Sequence, residues 1–538
     1  MSARRVRGAA VAAALVVVAL AAGTPSTRQR TAGLRPAAPS TMISFALSLR
    51  LDERRLRHDL AGGASVSSAA ALGARYGLPR ADERRVERIL KANGIAVTRE
   101  YPQRSQLDAR ANIRTLGRFF HVGFRGYADS TGSRFLAPTR QPGIPLSLRP
   151  YVTGVVGLDT RPLAISADLP HGALRPPDAA LAYDVAPLHQ AGIDGAGQAI
   201  AIVSLEAFPP DYSKTQDDVS TFRSTFGAKG PAPVDVKVDG GGSTSDFGED
   251  DLDLDVISAI APGAQIINYE APKSSAGLVD VFSRVVSDGR VKIASFSWGI
   301  CDAGMPAVVR KNVESALRLA VLRGITVFAA SGDSGSYDCQ RSKFSDHRLT
   351  VDFPSDSPQV VSVGGTLLSV QTSGAYGTES AWEGPFSNAG GGGGINTFDA
   401  APSWQAAAHV GNGQRVVPDV SASASPTSGW LARDYGNWDS FGGTSAATPF
   451  WAASMLLSEQ LAAKQGVQRT CFLAPILYQL ASVHQPYPPF HDVVTGANRH
   501  YDAGPGWDYA TGLGSPDVYN LARDLVAYLR IHPCGPAS

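Results

Sequence analysis

Four short apolar runs constrain this chain more than anything else in it: AIAIVSL (Ala199–Leu205), AQIINYE (Ala264–Glu270), VKIASFS (Val291–Ser297) and ITVFAAS (Ile325–Ser331). Each has the length of a strand and is apolar at consecutive positions, so both of its faces are covered. Helical stretches such as AVVRKNVESALRLAVLRG (Ala307–Gly324) lie between some of them. Doubly buried strands alternating with helices predict an α/β fold, a parallel sheet with helices on both sides. Loops that do chemistry gather at the carboxyl ends of such strands, and Trp298 and Asp333 stand just past two of these ends.

The stretch SFGGTSAATPFWAA (Ser440–Ala453) reads as a glycine-bent approach to a helix. Proline is at home in the first turn, where its missing N–H costs nothing, so Pro449 places Ser445 at or just before the helix start. There a hydroxyl meets the positive end of the helix and unpaired N–H groups, the surroundings a nucleophile and its oxyanion need. Capping a helix is the commoner job of such a serine, so its partners must decide.

A nucleophilic serine needs a base. The chain has one His-Gly pair, at His171, and Asp333 follows it, which is not the Asp, His, Ser order of a subtilisin-type site. Carboxylates are better placed. DFGEDDLDLDVISAIAPGA (Asp246–Ala264) packs six acids into ten residues ahead of an apolar helical run. Glu249 and Asp253, four apart, share one helix face, and two stacked carboxylates can share a proton. Glu249 is thus a candidate general base tuned by Asp253; the alternative is an acidic helix start facing water.

Charge divides the chain. Met1–Arg175 carries 27 Lys and Arg against 11 Asp and Glu, and the remainder 22 against 37, so +16 faces −15. Two halves of opposite sign within one chain predict attraction between them and argue against nucleic acid as the partner of the basic half. Residues 1–23 read as a secretory signal peptide: three arginines, an apolar run too short to span a membrane comfortably, then small residues. Export makes disulfides the expected state of Cys301, Cys339, Cys471 and Cys534. Of the three possible pairings, nearest neighbours (Cys301–Cys339, Cys471–Cys534) are the expected one. Ile43–Leu49 and Ile95–Tyr101 read as strands, Ala81–Gly94 as a helix, and Ala109–Val122 follows them in a small α+β domain. AGGGGG (Ala389–Gly394) reads as a flexible loop; no GK[ST] follows it, so it is no phosphate loop.

The set E-x-x-L-D (Glu249, Leu252, Asp253), S-G-D-S-G (Ser331–Gly335) and G-G-T-S-A-A-T-P (Gly442–Pro449) resembles the sedolisin family of serine-carboxyl peptidases, kumamolisin-type members above all. The resemblance implies a subtilisin-like catalytic domain (179–538), preceded by a ferredoxin-like α+β activation prodomain (42–165) and a processing linker (166–178). It implies Ser445 as nucleophile, Glu249 as base, Asp253 as the second carboxylate and Asp333 in the oxyanion hole. FHDVVTG (Phe490–Gly496) and AGPGWDYATGLGSP (Ala503–Pro516) resemble the family's calcium loop, with one ion held by the carboxylates of Asp492 and Asp508 and the carbonyls of Val493, Gly504 and Gly506. The whole is then expected to be a secreted, monomeric, acid-acting endopeptidase that cuts polypeptides. Its own prodomain would serve as inhibitor and folding aid, and no membrane or nucleic-acid partner is expected after export. A histidine-based subtilisin-like peptidase and a catalytically inactive, calcium-bound adhesion protein are the alternatives. One departure stands out: kumamolisin-type members carry a further Glu at the end of the first catalytic strand, where this chain has Ser204, with Glu206 two residues on. Trp298 matches the pattern near that network.

Overall fold

The computed structural model describes residues 38–128, 134–161, 174–207, 213–242, 248–384 and 388–534. The expected signal peptide (1–23) and most of the linker expected at 166–178, His171 included, lie outside the described residues.

The front segment forms an antiparallel sheet from β1 (Met42–Leu49), β2 (Ala96–Glu100), β3 (Gln106–Asn112) and β4 (Val152–Val156), in the order β2-β3-β1-β4. Helix α1 (Arg80–Ala92) packs beside β2 and buries Val86 and Leu90, at the spacing read from the sequence. Ala109–Val122 is not one element. Leu107, Ala109 and Ala111 alternate into the core as part of β3. Asn112 then accepts the Thr115 N–H at 2.9 Å and caps a short helix over Ile113–Phe119.

The remainder is built on a larger sheet of β5 (Ala199–Ser204), β6 (Val234–Lys237), β7 (Gln265–Glu270), β8 (Ile293–Phe296), β9 (Thr326–Ala330), β10 (Val361–Val370), β11 (Tyr376–Ala381) and β12 (Val420–Ser423). The order is β11-β10-β9-β8-β5-β7-β6, with β12 also paired to β10, and only β10–β11 is antiparallel. Alternate residues of the apolar runs serve opposite faces. Ile200, Ile202 and Phe328 join the core under α2 (Glu249–Ile260), α5 (Thr444–Lys464) and α6 (Val518–Ile531). Ala201, Val203 and Ala329 join the core under α3 (Ser275–Asp288) and α4 (Ala307–Leu322). This is why the runs carry no alternation.

The two units meet on α3 and α4, which pack on β1 and β4 respectively. Leu51, Leu56, Val66, Leu72 and Tyr76 of the front unit belong to the same apolar cluster as Phe282, Val313 and Leu322. Among the described residues two ion pairs cross this boundary, Arg99–Asp239 at 2.9 Å and Glu53–Arg318 at 2.7 Å, and the second has the acid on the basic side. The expectation that opposite charge joins the units is therefore corrected: apolar burial joins them, because exposed ion pairs are individually weak. The boundary also holds a carboxylate group, Asp108 of β3 with Asp239 and Asp280, whose oxygens lie within 4.8 Å of one another. Gln106 donates to both Asp108 and Asp280.

Both disulfides pair nearest neighbours, Cys301–Cys339 and Cys471–Cys534. Among the described residues no helix is long and apolar enough to cross a membrane. The glycine run is no flexible loop. Gly390 N–H donates to the Asp333 carbonyl at 2.9 Å, Gly392 N–H to Gly332 at 2.7 Å, and Ser331 Oγ to the Gly392 carbonyl at 2.8 Å. A Cβ on Gly392 would stand 1.8 Å from the Ser331 carbonyl oxygen, so the glycine is there for close approach.

Candidate active site

Strand ends bring the site together. Ser297 follows β8, Asp333 follows β9 and Glu206 follows β5, all at the carboxyl edge of the sheet. Helix α2 begins with Glu249, after Gly248 at φ 123°. All of its residues except Ala259 are buried, so its acids do not face water as a solvated helix start would. Glu249 and Asp253 are 1% and 2% exposed, one turn apart. Burial raises the Asp253 carboxyl well above the usual range, and Asp250 and Glu206 add to this, while a hydrogen bond from Ser297 opposes it. Burial also pushes Asp250 up to about 6 and Asp251, with help from Asp255 and Asp434, up to about 10.

Ser445 is the second residue of α5, inside its first turn, and the cap position belongs to Gly443 at φ 113°. The helix end is satisfied from elsewhere: Asp333 Oδ1 accepts the Thr444 N–H at 2.7 Å and the Thr444 hydroxyl at 2.9 Å. A Cβ at Gly443 would lie 3.0 Å from both Asp333 Oδ2 and Ser445 Oγ, so these two oxygens flank the glycine. Pro449 is not in the first turn but one turn further on, where its lack of an N–H is felt. Ser297 Oγ lies 2.8 Å from Asp253 Oδ1 and 3.3 Å from the Ser445 carbonyl oxygen, linking α2 to α5.

The sequence reading missed Ser297, Thr444 and Arg341. Ser297 ends one of the apolar runs, and a hydroxyl closing such a strand at its carboxyl end was the available signal. Arg341 stands two residues after Cys339, which the disulfide ties to Cys301 near the end of β8. Its Nη1 is 3.8 Å from Asp352 Oδ2. Burial works against its charge, and Asp333, Asp352, Asp338 and Glu249 together outweigh that and raise it.

Comparison with known proteins fits this geometry. The pro-kumamolisin activation domain matches residues 34–161 and the subtilase family matches residues 237–475. Kumamolisin of Bacillus sp. (strain MN-32) is 34% identical over 498 residues, covering 85% of this chain and 85% of that protein. The chain belongs to the sedolisin family. Sedolisin of Pseudomonas sp. (strain 101) is 33% identical over 346 residues, 60% of this chain and 57% of that one. A solved structure of Pseudomonas sedolisin, a serine-carboxyl proteinase complexed with two molecules of pseudo-iodotyrostatin, gives a TM-score of 0.58 at 30% identity, over 68% of this chain and 99% of that one. This protein is accordingly a serine-carboxyl peptidase with a subtilisin-like fold, made with an activation domain ahead of it.

The sedolisin-family departure at Ser204 has a local account. Ser204 Oγ accepts the Glu206 N–H at 2.9 Å, and Glu206 Oε2 accepts the Asp250 N–H at 3.4 Å. A carboxylate thus reaches the start of α2 from two residues later. Trp298 is buried beside Leu205, Leu278 and Phe353, with the Lys273 ammonium 4.5 Å above its ring.

The C-terminal loop brings its two acids to one turn. Asp492 accepts the Gly506 N–H at 3.0 Å, and Asp508 accepts the Gly504 N–H at 3.0 Å. Asp508 also accepts from Ala510 N, Thr511 N and Thr511 Oγ1. Hard oxygens on a glycine-bent turn are the donor type calcium takes. Val493 adjoins Asp492, and Gly506 and Gly504 stand two and four residues before Asp508, so the residues fit the ion in kind.

Proposed function

We propose that the protein is a secreted, acid-acting endopeptidase in which Ser445 attacks the peptide carbonyl and Glu249 takes its proton. Asp253 holds and tunes Glu249. Asp333, in its protonated form, donates from Oδ2 to the oxyanion, since Oδ1 already accepts two hydrogen bonds from Thr444. Water then hydrolyses the acyl-enzyme. One observation carries this reading: a buried pair of carboxylates, Glu249 and Asp253, joined through Ser297 to the helix whose first turn bears Ser445. A carboxylate base works in acid, where a histidine near its ordinary pKa of about 6.5 is protonated. Calcium bound between Asp492 and Asp508 would supply fixed charge that stiffens the C-terminal loop, and the chemistry needs nothing from it. The prodomain docked on α3 and α4 keeps the chain inactive until the linker over 166–178 is cut.

The test is a pH profile of hydrolysis of denatured protein by the processed chain beside Ser445→Ala and Glu249→Gln. An optimum well below neutrality, lost in both variants, is expected. A maximum at about pH 7–9 overturns the carboxylate mechanism.

A further inference from the structure

Helix α5 contains a defect at a telling place. The N–H of residue 449 would bond the carbonyl of residue 445, and residue 449 is proline. Pro449 has no N–H to give, and its ring crowds the carbonyl four residues back, which belongs to Ser445. That carbonyl finds its donor outside the helix, in Ser297 Oγ at 3.3 Å. The same hydroxyl lies 2.8 Å from Asp253 Oδ1. A serine has one proton to donate, so the two acceptors compete for it.

We propose that Ser297 is a positioning residue whose single hydroxyl proton couples the protonation of Asp253 to the orientation of the Ser445 backbone. The inference rests on the assignment of Ser445 and Asp253 to the reaction. When Asp253 is protonated, its O–H donates to Ser297 Oγ, and Ser297 turns its own proton to the Ser445 carbonyl. When Asp253 gives its proton to solvent, the carboxylate accepts the Ser297 hydrogen bond and the Ser445 carbonyl is left without a donor. No bond other than O–H is made or broken. Of the groups near Asp253, Asp250 from its own helix and Glu206 from the end of β5 favour the first state; Glu249 stands one turn before it on α2. Positive charge stands one step away, Arg341 toward Glu249 and Lys273 over Trp298.

The experiment uses the processed full chain and a peptide substrate, with kcat and KM measured from about pH 3 to 7. Ser297→Ala should lower kcat about tenfold with KM within about twofold, and shift the alkaline limb of the kcat profile. Ser297→Thr keeps the hydroxyl and should restore kcat to within about threefold. The deciding arm is Pro449→Ala, which gives residue 449 an N–H for the Ser445 carbonyl. In that background Ser297→Ala should cost no more than about threefold. Wild-type kcat and pH profile in Ser297→Ala overturn the inference, as does an equal penalty in the two backgrounds. If Ser297→Ala is misfolded by melting, the Ser297→Thr and double-variant arms decide in the same way. Ser445→Ala separates the two levels. Activity retained there overturns the assignment of the nucleophile, whereas activity lost there but unaffected by Ser297→Ala overturns only the coupling.

Discussion

Asp333 caps the helix that carries Ser445: its Oδ1 accepts the Thr444 N–H at 2.7 Å. One carboxyl group thereby has a structural oxygen and, in the proposed reaction, a chemical one. Asp333→Ala should lose both, costing about 1 kcal/mol of stability, as removal of a helix cap does, and about a hundredfold or more in kcat. Asp333→Asn keeps an acceptor for Thr444 and carries N–H donors at every pH. It should melt near the wild type. A melting loss equal to that of Asp333→Ala would show that the amide does not cap.

The buried acids of α2 set the pH dependence of stability. Asp250 is pushed up to about 6 and Asp251 to about 10, and Asp253 and Asp255 are raised well above the usual range, in each case first by burial. A carboxyl raised in the folded state contributes stability that is fully present below its unfolded pKa of about 3.9 and lost as pH rises through the folded one. Asp346, held down to about 2 by Arg348, works the other way and loses its contribution only in stronger acid. The melting temperature of Ser445→Ala, which on the proposed mechanism cannot digest itself, should therefore fall steadily from about pH 4 to pH 8. A maximum at neutral pH would contradict this.

Calcium should act through linkage. Bound at a hundred times its dissociation constant, it would add about 2.7 kcal/mol to the folded form. Chelator should lower the melting temperature of the wild type, and should do nothing further to Asp508→Ala, already weakened by the loss of its bonds to Gly504, Ala510 and Thr511. Equal sensitivity of the two proteins to chelator would place the ion elsewhere.

Docking of the front unit should not behave as charge attraction. A Ser445→Ala chain nicked within residues 166–173 reports it by size exclusion. Salt should change the bound fraction little, since two ion pairs cross the boundary among the described residues. Burial pushes Asp108 up to about 6 and raises Asp280 well above the usual range, with their mutual repulsion adding to the second. Both contribute to docking in acid and lose that contribution as pH rises. At high salt the units should accordingly hold tighter at about pH 5 than at pH 7. Release on acidification alone would mean that the surface charges govern after all.

The sheet was legible because doubly buried strands leave an unmistakable apolar pattern, and Ala199–Leu205 and Ile325–Ser331 became β5 and β9 within a residue or two. The residues proposed for the site were readable as motifs, yet the links between them were not. Ser297 reaches Asp253 across 44 positions and the Ser445 carbonyl across 148, and no local pattern records such a distance. Pro449 was misplaced by a turn because a proline shortly after a candidate helix start fits several registers, and only the cap at Gly443 settles which. The charge asymmetry misled for another reason. Net charge says nothing about which residues a boundary buries, and this boundary buries Leu51, Leu56 and Tyr76.

That shared apolar cluster bears on the kinetics of activation. If the linker is cut as proposed, the cut by itself would not remove the front unit; it would leave a fragment whose matching surface is on α3 and α4 of every molecule that has just been cut. Such a fragment could rebind any of them, so the first molecules to mature would be silenced by what the rest release. Activity would then rise only as fragments are destroyed, and the molecules able to destroy them would be the few momentarily bare. The time course would be that of an autocatalytic reaction, with a lag that shortens as the concentration of the protein rises and lengthens when intact fragment is added.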